Sequence, residues 1–102
     1  MEWYLYLAYF FAGVLLANGV PHFIHGISGE KFQTLFASPP GVGKSSPLVN
    51  SLWGFSNFVA GGLLISLGHF EFGFTVSSLM AVLGALVPVI GLALHFGKLH
   101  AP

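Results

Sequence analysis

The stretch Trp3–Ile27, WYLYLAYFFAGVLLANGVPHFIHGI, contains no Lys, Arg, Asp or Glu. At a helical rise of 1.5 Å, about 20 apolar residues cross roughly 30 Å of hydrocarbon, so this run is long enough to span a bilayer. Two further uncharged runs follow, at about residues 48–67 and 72–96. A segment inside hydrocarbon must satisfy its backbone polar groups internally, which makes each run a helix. A membrane β-barrel needs more strands than this chain can supply. The expected fold is an all-α membrane protein, a single domain over residues 1–102 with three transmembrane helices.

The rest of the composition agrees. Charged residues make up 6% of the 102 residues, against about 25% in soluble domains. Mean hydropathy is +0.84. The lipid bilayer is therefore the expected partner. Three scattered lysines cannot form the basic face that nucleic acid requires. With no Asp and no Cys, neither a Ser-His-Asp triad nor a thiolate nucleophile is available. The first run lacks a basic leader, carries Glu2 instead, and is too long to read as a cleaved signal peptide.

Ser46-Pro47 has the chemistry of an N-cap and first helical residue for the second span. Gly68-His69 ends that span, Glu71 falls in the turn that follows, and Gly97-Lys98 ends the third. The loop 28–47 and the C-terminal tail share one side and carry Lys31, Lys44 and Lys98, whereas Glu2 and Glu71 lie opposite. The positive-inside rule then puts loop and C-terminus in the cytoplasm and the N-terminus outside. Within the loop, Phe32, Leu35 and Phe36 fall at i, i+3 and i+4, predicting a short interfacial helix over residues 29–37. Pro39-Pro40-Gly41 turns the chain. The segment from Ser38 to Ser45, SPPGVGKS, resembles a phosphate loop, but Ser38 stands where Gly is required and no Asp is available to hold magnesium. No nucleotide is expected.

Small residues repeat every seven positions: Ala12, Gly19 and Gly26; Gly54, Gly61 and Gly68; Ser77, Gly84 and Gly91. Such rows let helices approach closely where lipid provides no hydrophobic drive for association. They serve equally to pack one chain, a homo-oligomer or a larger membrane complex.

Polar residues lie on or beside these rows. Asn18, His22 and His25 share one face, Asn50 and Asn57 another, and His95 lies on the third helix at similar depth. One reading is that they only hydrogen-bond across helices and fix register. The other is a pocket open to the cytoplasm, with His22, His25 and His95 as ligands of a metal or haem, or with the cluster holding a quinone or lipid head group. A coupled transporter is disfavoured because no span buries a carboxylate.

The motif Asn18-Gly-Val-Pro-His-Phe23, then Phe36-Ala-Ser-Pro-Pro-Gly41, Ser45-Ser-Pro47 and Asn50-Ser-Leu-Trp-Gly54 resembles a family of small uncharacterised bacterial integral membrane proteins. The resemblance covers about the middle third of the chain and implies a bacterial inner-membrane location, with no catalytic residues to carry over. Together these readings point first to a non-enzymatic structural or accessory subunit without a cofactor. The alternative is a ligand- or cofactor-binding membrane protein. A C-terminal reporter that works only in the cytoplasm is expected to be active, and one that works only after export to be silent; the reverse pattern overturns the orientation.

Overall fold

The computed structural model describes residues 2–101. It contains α1 (Trp3–Ile27), β1 (Phe32–Gln33), β2 (Lys44–Ser45), α2 (Pro47–Ile65) and α3 (Val76–Leu99). All three helices are long and apolar enough to cross a membrane. The molecule extends 45 × 26 × 21 Å, its long axis matching a bilayer with its headgroup regions.

Local chemistry sets the helix ends. Gly29, at φ +76°, ends α1 in a left-handed residue. Its N–H donates to Gly26 O at 3.0 Å, and the Glu30 N–H donates to His25 O at 2.9 Å, the paired bonds of a Schellman cap. Ser46 caps α2 as expected, its hydroxyl accepting from Val49 N–H at 3.2 Å, with Pro47 in the first turn. The third helix differs from expectation at both ends. Gly73, at φ +103°, interrupts the chain, and the Thr75 hydroxyl accepts from Ser78 N–H at 3.2 Å, so α3 begins at Val76 rather than at about residue 72. It then runs through Gly97 to Leu99, with Lys98 in the last turn, where a cation suits the helix dipole.

α1 is the axis of the molecule. α2 and α3 each pack along it, and they scarcely touch one another. The expected small-residue rows are the contact surfaces within this one chain. A Cβ on Gly54 would lie 2.6 Å from Phe23 N, and one on Gly19 would lie 2.8 Å from Gly54 O. At Gly26 it would collide with Ser51 and Pro47 O, and at Gly61 with Leu16. Gly68 meets Tyr9 and Leu5, while Ala12 and Ser77 are buried. On the α3 side Gly84 lies against the Phe10 carbonyl. Two corrections follow. Gly91 has open space around it and belongs to no intramolecular seam, because α3 turns that face away from α1. Gly13, outside the seven-residue rows, instead lies against Ala81 O and Ala85 N. Since α1 serves two neighbours, it needs small residues on two faces, which one heptad row cannot provide.

The loop is the main departure. No helix forms over residues 29–37. β1 and β2 pair antiparallel, Phe32 opposite Ser45 and Gln33 opposite Lys44, and the hairpin folds back over the helices. Phe32, Gln33 and Thr34 are buried, whereas Leu35 and Phe36 are exposed. The Gly41 N–H donates to Thr34 O at 2.9 Å, and Gly41 takes φ +74°. The resemblance to a phosphate loop is therefore the far side of this hairpin.

Gly84→Ala is expected to lower stability in detergent by about 1–3 kcal/mol, because the methyl group meets backbone that cannot yield. Gly91→Ala is expected to be neutral or slightly stabilising. Denaturant melts followed by circular dichroism measure both; equal effects at the two positions would contradict this packing.

Candidate functional site

At the lysine-bearing end, Asn50 joins four parts of the chain. Its side chain is fully buried. Its Nδ2 donates to Phe32 O, Ser45 O and Ser46 O, each at 3.1 Å. Carbonyls only accept, so the amide nitrogen faces them and Oδ1 faces His22 Nδ1 at 2.9 Å. That oxygen must accept, so neutral His22 carries its proton on Nδ1 and leaves Nε2 as a lone pair.

Two turns further along α2 a second relay forms. The Asn57 Nδ2 donates to Trp53 O at 2.8 Å, and its Oδ1 accepts from Asn18 Nδ2 at 3.1 Å. Asn18 is half-buried and Asn57 nearly wholly buried. Interhelical hydrogen bonds of this kind contribute about 0.6 kcal/mol on average in membranes, so the pair fixes register more than it stabilises.

The histidines do not converge. His25 Nδ1 donates to exposed Glu30 Oε1 at 3.2 Å, and the ring stacks on Phe32 with centroids 4.1 Å apart. His95 lies on α3 and donates from Nε2 to Gly41 O at 2.8 Å, tying that helix to the hairpin. Among the described residues no three metal-ligating side chains come together. The expected metal-ligand set His22, His25 and His95 is not assembled: His22 Nδ1, His25 Nδ1 and His95 Nε2 each bond a different partner, and Phe32 packs against the first two rings.

The hairpin closes a cavity of about 330 Å³ between α1, α2 and α3. Asn18 and His22 line it from α1, Trp53 from α2, and Leu92, His95 and Phe96 from α3. Gln33, Thr34 and Pro40 reach it from the loop. Gln33 is only 3% exposed, and its Oε1 is buried without a hydrogen-bond partner. Of the expected site residues, Asn18, His22 and His95 line the cavity; Asn50 and Asn57 orient them from behind, and His25 lies outside. Gln33, Trp53 and Phe32 were missed. The signal for them was a hairpin pattern, Phe32-Gln-Thr34 and Lys44-Ser45 on either side of a Pro-Pro-Gly turn, overlooked in favour of a helical spacing.

The fold and this site define the chain as a small multi-pass α-helical membrane protein with a buried polar network at one end. No protein-family model, curated protein or solved structure matches it.

Asn50→Ala leaves His22 Nδ1 and two loop carbonyls without their partner. It is expected to cost about 1–3 kcal/mol per group left unsatisfied and to release the hairpin. Limited proteolysis within residues 34–44 should become faster in this variant; an unchanged cleavage rate would show that the hairpin is held by other contacts.

Proposed function

We propose that the chain binds a membrane-borne amphipathic small molecule, seating its polar head in the cavity beneath the hairpin. The observation that carries this reading is the convergence of Asn18 and His22 from α1, Gln33 from the hairpin and His95 from α3 on one cavity. The surroundings support it. The cavity combines apolar walls with a few convergent polar groups, the usual make-up of a ligand site. It lies at the lysine-bearing end of the helices, where head groups reside. The same reading makes this a binding protein and not an enzyme.

The lysine distribution and the motif resemblance support a bacterial inner-membrane setting with this end in the cytoplasm, since Lys31, Lys44 and Lys98 all belong to it. A second reading, a subunit of a homo-oligomer or larger complex, is favoured by one observation: Gly91 on α3 has open space where another helix can approach.

Native mass spectrometry of protein released from mild detergent tests the first reading. One retained amphiphile per chain is expected, with occupancy lost in Leu92→Trp, whose larger ring fills the cavity. Bare wild-type chains would overturn the binding reading, and bare multimers would favour the second.

A further inference from the structure

A larger groove, of about 540 Å³, lies between α1 and α3. Ala17 and Pro21 line it from α1, and Pro88, Ala93 and Gly97 line it from α3. His100, the C-cap of α3, is the only lining residue with a polar side chain among the described residues. Leu92 and Phe96 line both this groove and the cavity beneath the hairpin, so they stand between the two. The extent of the groove follows from how closely the helices approach. In the half remote from the lysines, Gly13 lies against Ala81 O and Ala85 N, and Gly84 lies against Phe10 O, which leaves no room for a further chain. In the lysine-bearing half the contact is looser, and Gly97 has open space where a Cβ would stand.

Length and charge define what such a groove can hold. From Pro88 to His100 the chain rises about 18 Å at helical pitch. One leaflet of hydrocarbon is about 15 Å thick, half of the bilayer core. The groove therefore spans one leaflet, closed near the midplane and ending at the level of the lysines, which suits one acyl chain. A helix from a second copy would cross both leaflets and would meet the closed half. At the open end the side-chain charges are Lys31, Lys44 and Lys98 against Glu30, which already bonds His25. Two helix C-termini and one N-terminus meet there, a net dipole charge of about half a unit negative, smaller than the lysine excess. A phosphate at that level meets positive charge.

We infer that the groove between α1 and α3 is a binding site for an anionic glycerophospholipid of the lysine-side leaflet. One acyl chain lies along Pro21, Pro88 and Ala93, and the phosphate sits at the level of Lys98 and His100. The site is separate from the cavity beneath the hairpin and does not depend on the amphiphile reading above.

Wild-type protein stripped of lipid in detergent is titrated with palmitoyl-oleoyl phosphatidylglycerol and, separately, with the phosphatidylcholine of the same chains. Native mass spectrometry reads the adducts. A saturable adduct of one phosphatidylglycerol per chain is expected, bound about fivefold more tightly than the choline lipid, the effect of about one lysine at a membrane surface. Lys98→Gln is expected to remove that preference. Gly97→Phe and Ala93→Phe each place a ring in the groove from an exposed position, and each is expected to abolish the saturable adduct. Gly62→Phe, on α2 where a Cβ also meets open space, is expected to leave it unchanged, as is Gln33→Leu in the other cavity. Circular dichroism checks folding, and should one ring variant not fold, the other decides. If both ring variants bind as wild type does, or no saturable adduct forms, the site is wrong. If Gln33→Leu loses the lipid while the ring variants keep it, the lipid belongs beneath the hairpin and the inference again fails. Equal affinity for the two lipids in wild-type protein overturns the anionic head. Because stripped protein is used, failure of the amphiphile reading leaves these outcomes unchanged.

Discussion

The buried side chain of Asn50 is the constraint on which the polar end of this protein depends. It stands in the first turn of α2, yet it bonds the return of the hairpin, both of its strands and a histidine of α1. No apolar residue of the same size could replace it, because the Phe32 and Ser45 carbonyls and a ring N–H would lose the amide that bonds them. In a chain with so little polar surface, one amide satisfies what would otherwise prevent the loop from lying on the helices. The short strands alone would not hold it there, since a two-stranded hairpin is at best marginal by itself.

The position of the hairpin in turn follows from how the helices are arranged. α1 carries small residues on two faces and takes α2 and α3 on separate sides. The two outer helices stay apart, and a bilayer exerts no hydrophobic pressure to close the space between them. At the lysine-bearing end the hairpin covers that space, His95 joins it to α3, and Phe36 meets Trp53 of α2 edge-on at 4.9 Å. A cavity with polar groups on one side and aromatic rings on the other results directly from this geometry. It gives a physical basis for the proposed binding of an amphiphile.

Much of this was legible in the residues. Long uncharged runs mark spans, Ser46-Pro47 marks a helix start, and the rows through Gly19, Gly54 and Gly84 mark close approach. Asn18, His22 and His95 were recognised as a group because polar side chains within apolar helices must face protein. The loop was misread for a specific reason. Phe32, Leu35 and Phe36 have helical spacing, but only Phe32 is buried, and the partner that draws it inward is the stacked ring of His25 together with Phe96. Spacing within a segment carries no information about a partner supplied by another helix.

The sequence by itself determined that the chain crosses a membrane three times, where its charges lie and which residues allow close packing. These follow from transfer free energies and backbone geometry, which are local properties of each segment. The tertiary structure alone decided that His22, His25 and His95 serve three separate partners, that Gly91 is free of the intramolecular seams, and that Asn18, His22 and His95 meet loop residues around one cavity. An amide or imidazole is donor and acceptor at once until a partner selects its orientation. Here the partners stand 39 positions away for Asn18, 28 for His22 and 54 for His95, so only the folded chain assigns those roles.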